Sequence, residues 1–360
     1  MKKILIINPF GIGDVLFTTP VLSAIKDACP DTIIGYWCNE RVKDILKNNK
    51  NIDKIFALSR GDIKKIYNKS RLEGIFKGIA LYKSIKKERF DVSLDFSLDH
   101  RYGFISKLAG IKKRIGFNYK NRGRFLTDKI TIDGYAQKHV VEYYLELLDF
   151  IGIKPKTKNL DLYVSDIDRV NCKDILASYS INDKGLIIGI APGGGASWGK
   201  DAAIKRWPAI KFAQLADKIS KDFAAQILLL GDESDRPIID IIVKTATYPV
   251  IDLAGKTSLA ELIGIINNVE ILIANDGGPL HIAVALGKKT VSFFGPVDPK
   301  VYGPYPADAK RHIVLRKELE CSPCYSGFRL SGCLKNRECL EKIDIQEAVS
   351  AVASLLKTDD

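Results

Sequence analysis

No stretch of this 360-residue sequence approaches the roughly 20 consecutive apolar residues that a membrane-spanning helix requires. The apolar run near the start, Ile4-Leu5-Ile6-Ile7, is too short for a secretion signal and stops at Asn8-Pro9. Low-complexity tracts are lacking, and the composition is that of an ordinary globular protein. No nucleic-acid-recognition motif is found either, which turns the charge of the chain toward other partners. A third glycine at the dinucleotide spacing is missing after Gly11-Ile12-Gly13-Asp14, so NAD or FAD binding has little support. The run from Gly194 to Lys200 imitates a P-loop, but Asp201 stands where magnesium binding needs Ser or Thr. These absences leave a globular protein, expected in the cytoplasm, that is long enough for two domains.

What is present begins with charge. The net charge of +12 suits an anionic substrate or surface. Basic residues crowd positions 64–89 and again 112–124. The first run reads as solvated helix faces. The second contains Gly116, Gly123 and two Asn, so it reads as a loop that could hold an anion. Of the seven cysteines, Cys321, Cys324, Cys333 and Cys339 form a C-x2-C-x8-C-x5-C cluster. Four thiolates at short spacing are candidates for a structural Zn2+, but only one pair has a familiar ligand spacing. A plain thiol-rich turn ranks above zinc.

Strand and helix patterns alternate. Strands are expected at 4–7, 32–37, 52–58, 91–96 and 114–117, then at 186–190, 226–230, 250–253, 270–274 and 290–294. Alternating βα units imply parallel sheets with helices on both faces. The polar stretch 154–159 and residues 165–168 suggest a linker. The expected organisation is therefore two Rossmann-like α/β domains facing across a cleft, 1–165 and 166–343. Residues 344–360 form a closing helix. Ligands would sit at the C-terminal ends of the strands.

Several groups fall at those ends. Asn275-Asp276-Gly277-Gly278-Pro279-Leu280-His281 follows an apolar strand. Its glycines permit a tight turn, Pro279 suits a helix's first turn, and a fresh helix N-terminus attracts phosphate. Alone, the segment reads first as a βα turn with Asp276 as helix cap, and it is the rest of the chain that favours a ligand site. Pro192-Gly193 follows another strand, and its backbone amides could face a diphosphate. Lys205 or Arg206 could pair with phosphate while Trp207 packs. Glu233, after Gly231-Asp232, could accept from a ribose diol. Asp14 is a candidate general base, since Thr19-Pro20 offers the next helix its own cap.

Together these pieces resemble glycosyltransferase family 9, the heptosyltransferases of lipopolysaccharide inner-core assembly. The resemblance rests on Gly13-Asp14-Val15-Leu16-Phe17-Thr18-Thr19-Pro20, on Lys205-Arg206-Trp207-Pro208 and on Asn275 to His281, with Gly287 and Phe294-Gly295-Pro296 downstream. It implies a GT-B fold and inverting, metal-independent transfer from a nucleotide-diphosphate sugar, typically ADP-heptose, with no cofactor. It implies that Asp14 deprotonates the acceptor. It places Lys205, Glu233, Asp276, Gly277, Gly278, Pro279 and His281 around the donor, where Pro192 and Gly193 of the glycine loop and Gly13 beside Asp14 are also expected. The acceptor would be an anionic glycolipid held by Lys113, Arg114, Lys120 and Arg122, with the chain peripheral at the inner face of the cytoplasmic membrane. Gly277 departs from the Ser or Thr that many members carry. Two competing readings are a nucleotide-sugar epimerase or hydrolase of related fold, and a non-catalytic binder of anionic glycolipid.

Overall fold

Buried parallel strands are covered on both faces, so they are written as unbroken apolar runs. Two such runs organise the molecule. In the computed structural model, which describes residues 2–181, 185–194, 196–333 and 335–357, they are β1 (Lys3–Ile7) and β7 (Ile187–Ala191). The chain divides into two units, Met1–Leu162 and Tyr163–Asp360.

The first unit adds β2 (Ile33–Cys38), β3 (Lys54–Ala57), β4 (Val92–Asp95), β5 (Lys113–Asn118) and β6 (Asp128–Thr131). They form one parallel sheet in the order β3-β2-β1-β4-β5-β6. Ile4, Leu5, Ile6 and Ile7 of β1 are fully buried at its centre. Each such side chain contributes about 1.5–3 kcal/mol of burial. On one face Leu5 and Ile7 meet Trp37, Phe56, Phe90 and Tyr102.

The second unit repeats the plan with β8 (Gln226–Leu229), β9 (Val250–Asp252), β10 (Ile271–Asn275), β11 (Lys289–Phe293) and β12 (His312–Leu315). Its order is β12-β11-β10-β7-β8-β9, the same winding viewed from the other edge. Its core gathers Ile188, Trp207, Phe212, Ile273 and Phe293. The helix Ile345–Leu356 buries Ala348, Val352 and Leu355 in that same core. Its start is fixed by a capping box between Asp344 and Glu347.

In both sheets the strand order reverses beside the first strand of the unit, between β1 and β4 and between β7 and β10. Such reversals open a crevice at the strands' C-terminal ends, the usual ligand position in open α/β sheets.

Three local expectations need correction. Residues 165–168 are not linker. Ser165 accepts from the Asp168 amide and caps the helix Asp166–Ser178. Thr19 is not a cap: Thr18 is the N-cap of the helix Thr19–Ala28, and the Thr19 hydroxyl donates to the Leu16 carbonyl. The edge strands β6 and β12 fall outside the expected set. Edge strands are covered on one side only, and the sequences Asp128-Lys129-Ile130-Thr131 and His312-Ile313-Val314-Leu315 are at most half-buried.

Candidate functional site

The second unit's crevice is built on Asn275, which is buried at the end of β10. Its Nδ2 donates to the carbonyls of Pro192 (2.7 Å) and Gly193 (3.1 Å), and its Oδ1 accepts from the Trp207 amide (2.9 Å). One side chain thus ties the end of β7, the end of β10 and the segment before the next helix. Trp207 is anchored in turn by stacking on Phe293, with ring centroids 4.2 Å apart. In the sequence Asn275 belongs to the motif but carries no assigned role. An Asn directly preceding the Asp-Gly-Gly turn was the available signal.

The glycine loop has a packing reason for its composition. A Cβ on Gly193 would lie 2.3 Å from the Asp235 carboxylate, and Gly194 has φ +121° with a virtual Cβ 3.1 Å from the Asp276 carbonyl oxygen. Arg206 clamps the loop, donating to the Gly194 carbonyl (3.2 Å) and to Asp235 (2.9 Å). Burial raises the Asp235 carboxyl above its ordinary pKa, with Arg206 working the other way. Gly195 lies outside the described residues.

Asp276 is not a helix cap. The N-cap of the helix Gly278–Ala285 is Gly277, with no side-chain capping bond and Pro279 in the first turn. Gly277 has φ 178°, an extended backbone open to any residue, so the turn does not demand glycine there. Asp276 instead forms an ion pair with Lys205, both side chains being almost fully buried. The Lys205 ammonium also lies 4.6 Å from the Trp198 ring centroid. His281 is buried beside this pair, and desolvation lowers its pKa to about 4, with Asp276 opposing and Lys205 adding to the shift. At neutral pH the imidazole is uncharged and has one N–H to donate. Glu233 opens a short 3-10 turn, exposed, with its carboxylate against Gly255.

In the first unit, Asp14 sits in a short helix, Ile12–Leu16. Gly11 is its N-cap and no side chain caps it. The segment is pinned from both ends. Asn8 Nδ2 donates to the Asp14 carbonyl (2.9 Å), and Asn39 donates to the carbonyls of Pro9 and Phe10. Gly13 lies in the same turn. The Asp14 charge raises the pKa of the buried phenols Tyr36 and Tyr135, although burial is the larger cause in both.

The four expected acceptor-binding residues divide. The Lys113 ammonium donates to the Phe150 carbonyl. The Arg114 guanidinium donates to the carbonyls of Phe125, Ile111 and Lys112. Both belong to β5, which extends the expected strand 114–117 by one residue at each end, and their donors serve the backbone. Lys120 and Arg122 follow in the turn, exposed, each over the Tyr119 ring. Arg122 also lines a cavity of about 10 Å³ with Asp95, Asp99 and His100. Asp95, at the end of β4, was not anticipated. Burial raises its pKa to about 7, against a hydrogen bond from the Ser97 amide (2.9 Å).

Cys321, Cys324, Cys333 and Cys339 line one cavity of about 500 Å³. Among the described residues, no group of three or more His, Cys, Asp or Glu is arranged to hold a metal ion. Burial raises the Cys339 thiol to about 11, and the other three cysteines add to the shift.

The family model described as glycosyltransferase family 9 (heptosyltransferase) matches residues 79–333. Lipopolysaccharide heptosyltransferase 2 of Salmonella typhimurium is 26% identical over 313 residues, covering 82% of this chain and 84% of that protein. A glycosyl transferase family 9 structure from Veillonella parvula superposes with a TM-score of 0.84 at 23% identity, covering 99% and 98% of the two chains. The E. coli ADP-heptose lps heptosyltransferase II structure superposes at 0.78 with 22% identity, covering both chains completely. The two-sheet α/β fold is that of these two structures.

Proposed function

The chain belongs to glycosyltransferase family 9, the heptosyltransferases, and is a glycosyltransferase; from that premise we propose that it moves a heptose from ADP-heptose onto an anionic glycolipid of the lipopolysaccharide core. The names of the Salmonella and E. coli proteins support the sugar and the acceptor class. The observation that carries the reading is the buried Lys205–Asp276 pair beside the uncapped start of the helix Gly278–Ala285, at the strand reversal of the second sheet. That unit takes the donor and the first unit takes the acceptor.

In this reading the Asp14 carboxylate accepts the proton of the acceptor hydroxyl. The oxygen attacks the anomeric carbon, the bond from that carbon to the diphosphate breaks, and the configuration inverts. ADP leaves with its charge met by Lys205 and by the amides at the helix start. Asp276 holds Lys205 in place, and neutral His281 supplies a donor. Gly277, Gly278 and Pro279 bring the backbone to the phosphates, while Pro192, Gly193 and Gly13 shape the pockets. Glu233 meets the ribose. Charge stabilisation comes from the protein, without a catalytic metal. The acceptor is membrane-anchored, so the chain works in the cytoplasm in peripheral contact with the inner membrane face.

The test is ADP release from ADP-heptose with a delipidated core acceptor. Asp14→Asn should retain ADP binding and lower turnover on the order of 100- to 10,000-fold. Wild-type turnover should survive excess EDTA. Near-normal turnover by Asp14→Asn would remove Asp14 from the chemistry, and loss restored by magnesium would contradict protein-borne stabilisation.

A further inference from the structure

The basic run at 64–89 forms two helices, Arg60–Lys69 and Arg71–Glu88. They pack closely at Gly74, where a Cβ would meet the Tyr67 backbone at 2.8 Å. The longer helix turns Gly74 and Ile85 inward, with Leu81 and Tyr82 against the core around Trp37. Its opposite side is unexpectedly apolar. Leu72, Ile75, Phe76 and Ile79 are 69%, 49%, 67% and 45% exposed. Their i, i+3, i+4, i+7 spacing puts them on one stripe. At 100° per residue the same stripe continues C-terminally into Lys83 and Lys86, with Lys87 beside it, all exposed. Lys64, Lys65 and Lys69 on the shorter helix, and Arg71 at the start of the longer one, add exposed basic groups. The acidic residues of the longer helix are already engaged, Glu73 with Lys77 and Glu88 with Lys54 and Lys3.

We propose that this stripe docks the first unit on an anionic phospholipid surface. A solvated helix face does not account for four large apolar side chains in register. An apolar stripe bordered by lysines is the pattern of a helix lying in a bilayer interface, apolar groups among the acyl chains and ammonium groups among the phosphates. The charge selects the occupant: the exposed basic groups complement anionic headgroups and would repel a second copy of this basic chain. The surface belongs to the unit assigned to the acceptor, so the inference rests on the proposed function for its purpose.

The experiment is flotation of the full chain, without donor or acceptor, with phosphatidylcholine vesicles and with vesicles also containing phosphatidylglycerol. Wild type should float with the anionic vesicles and lose that binding as salt rises. Leu72→Ser/Phe76→Ser should weaken binding about tenfold or more, with an unchanged melting temperature because both side chains are exposed. Lys83→Gln/Lys86→Gln/Lys87→Gln should weaken binding to the anionic vesicles. Equal binding of wild type to both vesicles, or of the apolar variant and wild type, overturns the proposal. So does a wild-type oligomer that Leu72→Ser/Phe76→Ser converts to monomers, which would make the stripe a self-association face. Transfer to the delipidated acceptor reads the transferase function separately. Its failure with wild type would sink that function while leaving vesicle binding intact.

Discussion

Lys205 and Asp276 show how one buried pair can serve structure and binding together. Each charge offsets the desolvation of the other, and removing one partner of such a pair costs about 3–5 kcal/mol. Lys205→Ala should therefore lower stability and also weaken ADP binding, by about 1–3 kcal/mol for a lost bond to a charged group. Adding Asp276→Asn removes the stranded carboxylate, so denaturant unfolding should show most of the stability restored. ADP affinity by calorimetry should stay low in the double variant. If affinity recovers with stability, Lys205 is a structural cation only. The sequence marked both residues as donor ligands, but their pairing with each other was not readable from it. They lie 71 positions apart, and only the packing of β7 beside β10 unites their loops.

The strand-end loops of the second unit act as one element because Asn275 joins them. Asn275→Ala would leave the Pro192 and Gly193 carbonyls and the Trp207 amide without this partner. At about 1–3 kcal/mol per stranded buried group, and with partial relaxation, a loss of about 2–4 kcal/mol is expected. Thermal melting should register it as a drop of several degrees. ADP affinity should fall as well, because the loops proposed to hold the diphosphate would be released. A melting temperature within a degree of wild type would show that water replaces the side chain at no cost. The central elements were legible from sequence since β1, β7 and β10 are continuous apolar runs. The edge strands β6 and β12 were not, because each offers at most three consecutive apolar residues to mark a buried run.

For the whole molecule, the charge of +12 gains meaning from where it stands. Lys113 and Arg114 are engaged with backbone carbonyls, and burial lowers the Arg114 pKa. The anion-binding role proposed for this region then falls to Lys120 and Arg122. Lys120→Ser/Arg122→Ser should raise the acceptor KM severalfold and leave the donor KM unchanged. The acceptor KM of wild type should climb with ionic strength, and that of the variant should climb less, since exposed charges are screened. A donor defect with normal acceptor kinetics would reverse the assignment of the two units.

Sequence alone determined the two-unit α/β organisation, the family resemblance and the positions of Asp14, Lys205 and the Asp276 turn. Those features are local: apolar runs, glycine and proline punctuation, and motifs a few residues long. Tertiary structure decided the roles that depend on distant neighbours. It made Asp276 a partner of Lys205 instead of a cap, turned Lys113 and Arg114 to the backbone, and placed Asp95 in a buried position that raises its pKa to about 7. It also showed which apolar residues of the helix Arg71–Glu88 face the core and which face outward. A helix apolar on two sides has no single buried face to read from its periodicity, so only the packing of its neighbours tells the two sides apart.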